Sequence, residues 1–85
     1  MSTVQAPVRF VKEFAEYLAS APNEDELLSF RPSKAAQKRA SELLAKQNAG
    51  ATTPQEQREL DQFYDLEMVM RFVKAQIHAK RAQQA

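Results

Sequence analysis

The sequence predicts an all-α protein, three-helix-bundle-like, and three observations carry that expectation. Apolar residues recur at steps of three and four through each long segment, the period of a helix with one face in a core. Proline and capping residues punctuate the chain at helical spacings, at Pro7, Pro22, Pro32 and Pro54. The single Gly and four Pro supply too few tight turns for a β-rich fold.

Taken in order, Met1 to Gln5 reads as a frayed lead-in, and Pro7 suits the first turn of a helix. A helix over about 7–21 then places Phe10, Val11, Phe14, Tyr17, Leu18 and Ala21 in one arc, with Arg9, Lys12, Glu13 and Glu16 on the rest. Pro22 stops it. Asn23 with Glu26 three residues on forms a capping box for a short connecting helix, about 24–30, carrying Leu27, Leu28 and Phe30. Arg31-Pro32 breaks that helix, because the residue before Pro is pushed out of the helical region.

Ser33 caps a third helix over about 34–48, whose apolar line is Ala36, Ala40, Leu43 and Leu44, extended by Gln47. Gly50 sits where a left-handed residue ends a helix. Thr53-Pro54-Gln55-Glu56 is a second capping box with Pro at the first helical position. The loop of about four residues makes the third and fourth helices an antiparallel hairpin. The last helix runs from 54 to about 80, roughly 39 Å or more, with Ala82 to Ala85 fraying. Being longer than its hairpin partner, it must project or pack on something else with its C-terminal half.

That helix carries two apolar stripes. Phe63, Leu66, Met70, Val73 and Ile77 share one face, while Tyr64, Met68 and Phe72 recur at steps of four on another. A chain of 85 residues forms one domain, 1–85, and buries only about 60–65% of its unfolded surface. Covering both stripes requires the N-terminal helix on the second one, a second copy of the chain, or another protein. Met and aromatic residues are also enriched at interface centres.

Composition excludes several classes. Without Cys there is no disulfide framework and no thiolate metal site, which suits a cytoplasmic protein. No membrane span or secretory signal is expected. Twelve basic against eleven acidic residues leave a net charge of +1, so bulk charge does not direct the chain to nucleic acid or an anionic membrane. Asn23-Glu24-Asp25-Glu26 lacks the spacing and Gly of a calcium loop and reads as capping and helix-dipole charge. Glu59, Asp61 and Asp65 lie in the acidic first half of a helix whose second half is basic, which complements the macrodipole. His78, the one histidine, reads as a surface residue; a zinc site needs three or four ligands. No Ser-His-Asp arrangement or Gly-rich phosphate loop is present. No enzyme activity and no cofactor are expected.

Two basic clusters remain, Lys34, Lys38 and Arg39, and Lys74, Lys80 and Arg81. They would serve a nucleic-acid-binding alternative through phosphate contacts.

Several stretches resemble a family of small uncharacterised bacterial proteins common in cyanobacteria. They are Phe30-Arg31-Pro32-Ser33, Gln37, Leu43-Leu44, Asn48-Ala49-Gly50, Thr53-Pro54-Gln55-Glu56, Glu59-Leu60-Asp61 and the apolar helix from Glu67 to Ala75. Much of this pattern is helix capping, which other αα-hairpins share. It spans roughly residues 27–77, and Gln76-Ile77-His78 departs from the family's more basic ending. Members are often encoded beside HNH-type nuclease genes, so the resemblance implies an antitoxin-like or immunity-like partner protein.

The expected function is a small, non-enzymatic, regulatory protein-binding module. Tyr64, Met68 and Phe72 are its anchors, and Arg71 and Lys74 its polar rim. The expected partner is another protein, such as a nuclease-like toxin, or a second copy. A homodimeric structural bundle is a further alternative.

Overall fold

The punctuation read above marks out four helices. The computed structural model describes residues 8–84, so the expectations for Met1–Gln5 and Pro7 lie outside the described residues. Along the chain run α1 (Val8–Ala19), α2 (Glu24–Leu28), α3 (Lys34–Asn48) and α4 (Pro54–Gln84), with no strand among the described residues.

Each boundary has a local cause. α1 ends at Ala19, two residues earlier than expected, because Pro22 bars Ala21 from the right-handed helix. Ala21 takes a left-handed φ of 56° instead, a conformation that costs a non-glycine residue about 1–2 kcal/mol. The Asn23 box that opens α2 is complete. Its Oδ1 accepts the Glu26 N–H at 2.9 Å, and Glu26 Oε1 accepts the Asn23 N–H at 2.8 Å. α2 stops at Leu28 rather than Phe30, where the Ser29 hydroxyl donates to the carbonyls of Asp25 and Glu26 and closes the turn. Ser33 Oγ accepts the Ala36 N–H at 3.1 Å and caps α3.

The hairpin loop is Ala49–Thr53, five residues rather than four. Gly50, at φ 68°, allows two returning bonds: its own N–H to the Gln47 carbonyl, and Ala51 N–H to the Lys46 carbonyl. That is the Schellman termination, and it needs the left-handed conformation glycine adopts without cost. The Thr53–Glu56 box then starts α4 through bonds of 3.1 and 2.9 Å. α4 runs on to Gln84, past the expected end near 80, so residues 82–84 are helical rather than frayed.

α3 and α4 lie antiparallel, with Gln47 bonded to Gln57, Lys46 to Glu56 and Arg39 to Glu59 as one helix descends and the other rises. The core between them contains Ala36, Ala40, Leu43 and Leu60, closed by Phe10 of α1 and flanked by Phe63 and Leu66. The two alanines let α3 approach α4 closely, while Leu43 and Leu60 are fully enclosed. Three large apolar residues expected in the core lie outside it. Leu44 stands one position round α3 from Leu43 and is exposed, and Val11 and Leu18 flank the α1 face that Phe10 occupies.

The C-terminal half of α4 does not project free, because α2 lies on it. Met70 and Ile77 are buried there. Phe30 follows α2 and stacks with Phe14 and Tyr17 of α1 at centroid distances of 6.0 and 4.6 Å. The Tyr17 hydroxyl donates to the Glu26 carbonyl at 3.0 Å. Short α2 thus joins α1 to the far end of α4.

Leu43 and Leu44 are adjacent in sequence and differ in burial, so they separate the core from its edge. Leu43→Ala is expected to lower unfolding stability by about 2–5 kcal/mol. Leu44→Ala is expected to change it by about 0.5 kcal/mol or less. Urea denaturation of both variants checks this.

Candidate protein-docking surface

The site grows from the periodicity of α4. Positions 60, 63, 66, 70 and 77 follow one side of the helix, and α1, α2 and α3 all pack on that side. Steps of four from Tyr64 follow the other side, and none of the described helices covers it. Tyr64 is 43% exposed, Met68 47%, Val69 44% and Phe72 64%. The rings of Phe63 and Tyr64 sit 6.1 Å apart, edge to face, and mark the border between the covered and open sides. Phe63 also meets Phe10 at 5.1 Å, so α1 ends its coverage at Phe63 and does not reach the Tyr64–Phe72 line.

The polar residues expected around the stripe divide. Arg71 is exposed and forms no ion pair or hydrogen bond among the described residues. Lys74 is turned away, donating to the Phe30 carbonyl at 3.1 Å, so it anchors the loop after α2. Both line a cleft of about 240 Å³ between α1, Pro32 and α4, walled by Phe10, Phe14, Phe30 and Met70. Glu13 and Glu67 balance the two cations at its rim, so the cleft favours neither sign of ligand charge.

The basic clusters are largely engaged within the fold. Arg39 grips Glu59 with two bonds, Nε to Oε2 at 2.8 Å and a terminal nitrogen to Oε1 at 2.9 Å. Glu59 is 1% exposed and lies in the α3–α4 interface. The fork geometry holds the Arg39 guanidinium protonated still more firmly than usual. Lys80 and Arg81 reach Glu24 at 2.5 and 3.2 Å, and Arg81 also reaches Asp25 at 2.9 Å. Of the residues considered for phosphate contact, Lys34, Lys38 and Lys74 form no ion pair among the described residues, and Lys74 is held by the Phe30 carbonyl. The acidic turn at Glu24-Asp25 is correspondingly more than capping charge.

Three contributors escaped the periodic reading. Leu60 is three residues before Phe63 and continues its stripe, so extending the same 3–4 rule one turn would have found it. Val69 is three before Phe72 and widens the open face. The Arg39–Glu59 pair has no local signal, since its members are 20 residues apart.

His78 is exposed, and among the described residues no group of three or more His, Asp or Glu side chains could hold a metal ion. No described helix is long and apolar enough to cross a membrane. Comparison with protein-family models, with curated proteins and with solved structures finds no match.

Two expectations follow from the electrostatics. Arg39→Ala leaves a carboxylate buried without its counter-charge and is expected to cost about 3 kcal/mol, at the low end because Arg39 is partly exposed. Arg39→Met with Glu59→Leu is expected to recover most of that loss, read by urea denaturation. The second expectation concerns acid. Lys80 and Arg81 hold the Glu24 carboxyl below its usual range, and Lys46 with the Thr53 N–H does the same for Glu56. A carboxyl lowered by folding stabilises the native state above its unfolded pKa, and that contribution disappears as pH falls through the lower folded value. The urea midpoint is therefore expected to fall with acidification below about pH 4.3. Glu24→Gln with Glu56→Gln should make this decline shallower, with little change at pH 7 because both pairs are solvent-screened.

Proposed function

We propose that the protein is a small, non-enzymatic, protein-binding module that docks through the open face of α4. The observation carrying this reading is the exposure of Tyr64, Met68 and Phe72 as one line along α4, with Val69 beside it. Fully burying a large apolar side chain is worth about 1.5–3 kcal/mol, so four of them side by side in water represent stabilisation the fold forgoes. Scattered apolar residues on a surface need no explanation, whereas a contiguous patch marks a contact site. Tyr64, Met68 and Phe72, at i, i+4 and i+8, supply the anchors for helix-in-groove recognition. Arg71 beside them supplies a rim charge. The α3–α4 hairpin and the α2 contact hold α4 in place before binding, which lowers the ordering cost of association.

A regulatory or antitoxin-like partner role is consistent with this mode, since it needs a presented surface and no catalytic group. Nucleic-acid binding is disfavoured by the engagement of Arg39, Lys80 and Arg81 in ion pairs.

The test is Met68→Asp with Phe72→Asp. Helical circular dichroism is expected to persist, with the melting temperature moved by no more than a few degrees. Association with whatever protein co-purifies from the native cell, or with itself, is expected to be lost. Unfolding of the variant would show that the stripe is core, and unchanged association would remove it as the docking face.

A further inference from the structure

We infer that the cleft between α1, Pro32 and α4 is a binding site for a small, uncharged aromatic molecule of one or two fused rings. It lies on the covered side of α4, away from the Tyr64–Phe72 line, and does not depend on the docking reading.

The walls of the cleft are rings. Phe10 meets Phe63 at 5.1 Å and an interplanar angle of 59°. One turn further along α1, Phe14 meets Phe30 at 6.0 Å and 76°. All four rings line the cleft, so a flat molecule lying along it meets edges and faces from both pairs. Met70 and Ala36, each 4% exposed, lie deepest, and the Met70 thioether is a soft partner for a ring. Phe14, Phe30, Phe63 and Leu66 are only half-buried, and a ligand in the cleft would complete their burial.

Volume and charge narrow the class. An apolar cavity of about 150 Å³ holds benzene. The cleft measures about 240 Å³, which accommodates two fused rings. At its mouth Glu13 and Glu67 stand with Arg71 and Lys74. A ligand carboxylate would be drawn by the cations and repelled by the carboxylates, an ammonium the reverse, and either would give up hydration. A neutral molecule avoids that loss. Glu13 and Glu67 form no ion pair among the described residues, so their oxygens can accept an N–H or O–H from the ligand's edge. A ring bound there touches α1, the loop after α2 and α4 at once, and so stabilises the docking of the N-terminal helices on the hairpin.

Indole and 2-naphthol are the probes, titrated into the full chain and followed by NMR. Saturable shifts are expected at the methyls of Ala36, Leu66 and Met70, with intermolecular contacts from the probe's ring protons to those methyls. The dissociation constants are expected in roughly the 0.1–1 mM range. The melting temperature should rise with probe concentration. Indole-3-acetate and tryptamine, which add one charge of either sign, are expected to bind about threefold more weakly or worse. Leu66→Trp sets a ring of the chain's own in the cleft and is expected to abolish binding while circular dichroism stays helical. Phe14→Leu removes one wall ring and is expected to weaken binding about two- to tenfold. Because the shifts and contacts are read in the unaltered chain, a variant that unfolds does not remove the test.

No saturable shift at about 5 mM probe overturns the site. Shifts confined to Met68 and Val69 do so too, since they place the probe on the open face. A charged analogue that binds more tightly than indole overturns the uncharged class. Cleft signals that move with protein concentration before any probe is added assign the cleft to a second copy instead. None of these outcomes touches the docking reading, which is decided by Met68→Asp with Phe72→Asp.

Discussion

The governing constraint is that the three short helices described all pack on one side of a helix of 31 residues. α3 buries its alanines and Leu43 on the first half of α4, α1 adds Phe10, and α2 occupies the second half near Ile77. All three choose the same side because Leu60, Leu66, Met70 and Ile77 form the longer and more continuous line there. Burial on that side already gives the cooperative core a domain of this size needs. The opposite line is left to water. Both the stability of the fold and its capacity to bind descend from this asymmetry.

Electrostatics divides along the same boundary. On the covered side charges are paired: Arg39 with Glu59 inside the hairpin, Lys46 with Glu56 at its loop end, Lys80 and Arg81 with Glu24 and Asp25 at the far end. A buried pair such as Arg39–Glu59 adds little net energy over an apolar pair of the same shape, but breaking it is costly. It therefore disfavours any register of α3 on α4 that separates the two. On the open side Asp65 and Arg71 have no such partners among the described residues, and their charges face outward beside the apolar line.

Much of the fold was legible from residues next to one another in sequence. Helix starts at Asn23, Ser33 and Thr53, and the turn at Gly50, depend on bonds within five residues, and so do the signals that announce them. The stripe of Tyr64, Met68 and Phe72 was legible because a step of four has one meaning on a helix. What was not legible was long-range. That Leu43 is enclosed and Leu44 is not depends on the crossing of α3 over α4. That Phe10 reaches Phe63 but stops short of the next row depends on where α1 comes to rest. The ion pairs ran 20 and 56 residues apart, and nothing in a local window distinguishes Arg39 or Arg81 from a solvated cation.

Those distant ion pairs bear on the order of assembly. The α3–α4 hairpin closes through a five-residue turn with contacts about ten residues apart, a loop that costs little entropy and forms quickly. Joining Glu24 to Arg81 closes most of the chain, and it gains contacts only once the helix it lands on exists. Loop entropy therefore favours the hairpin as the early scaffold, with the N-terminal helices as a latch that closes on it afterwards. The terminal turns of α4 add exposed ion pairs to that latch, while the Phe30 ring cluster and the Lys74 bond keep it closed without them.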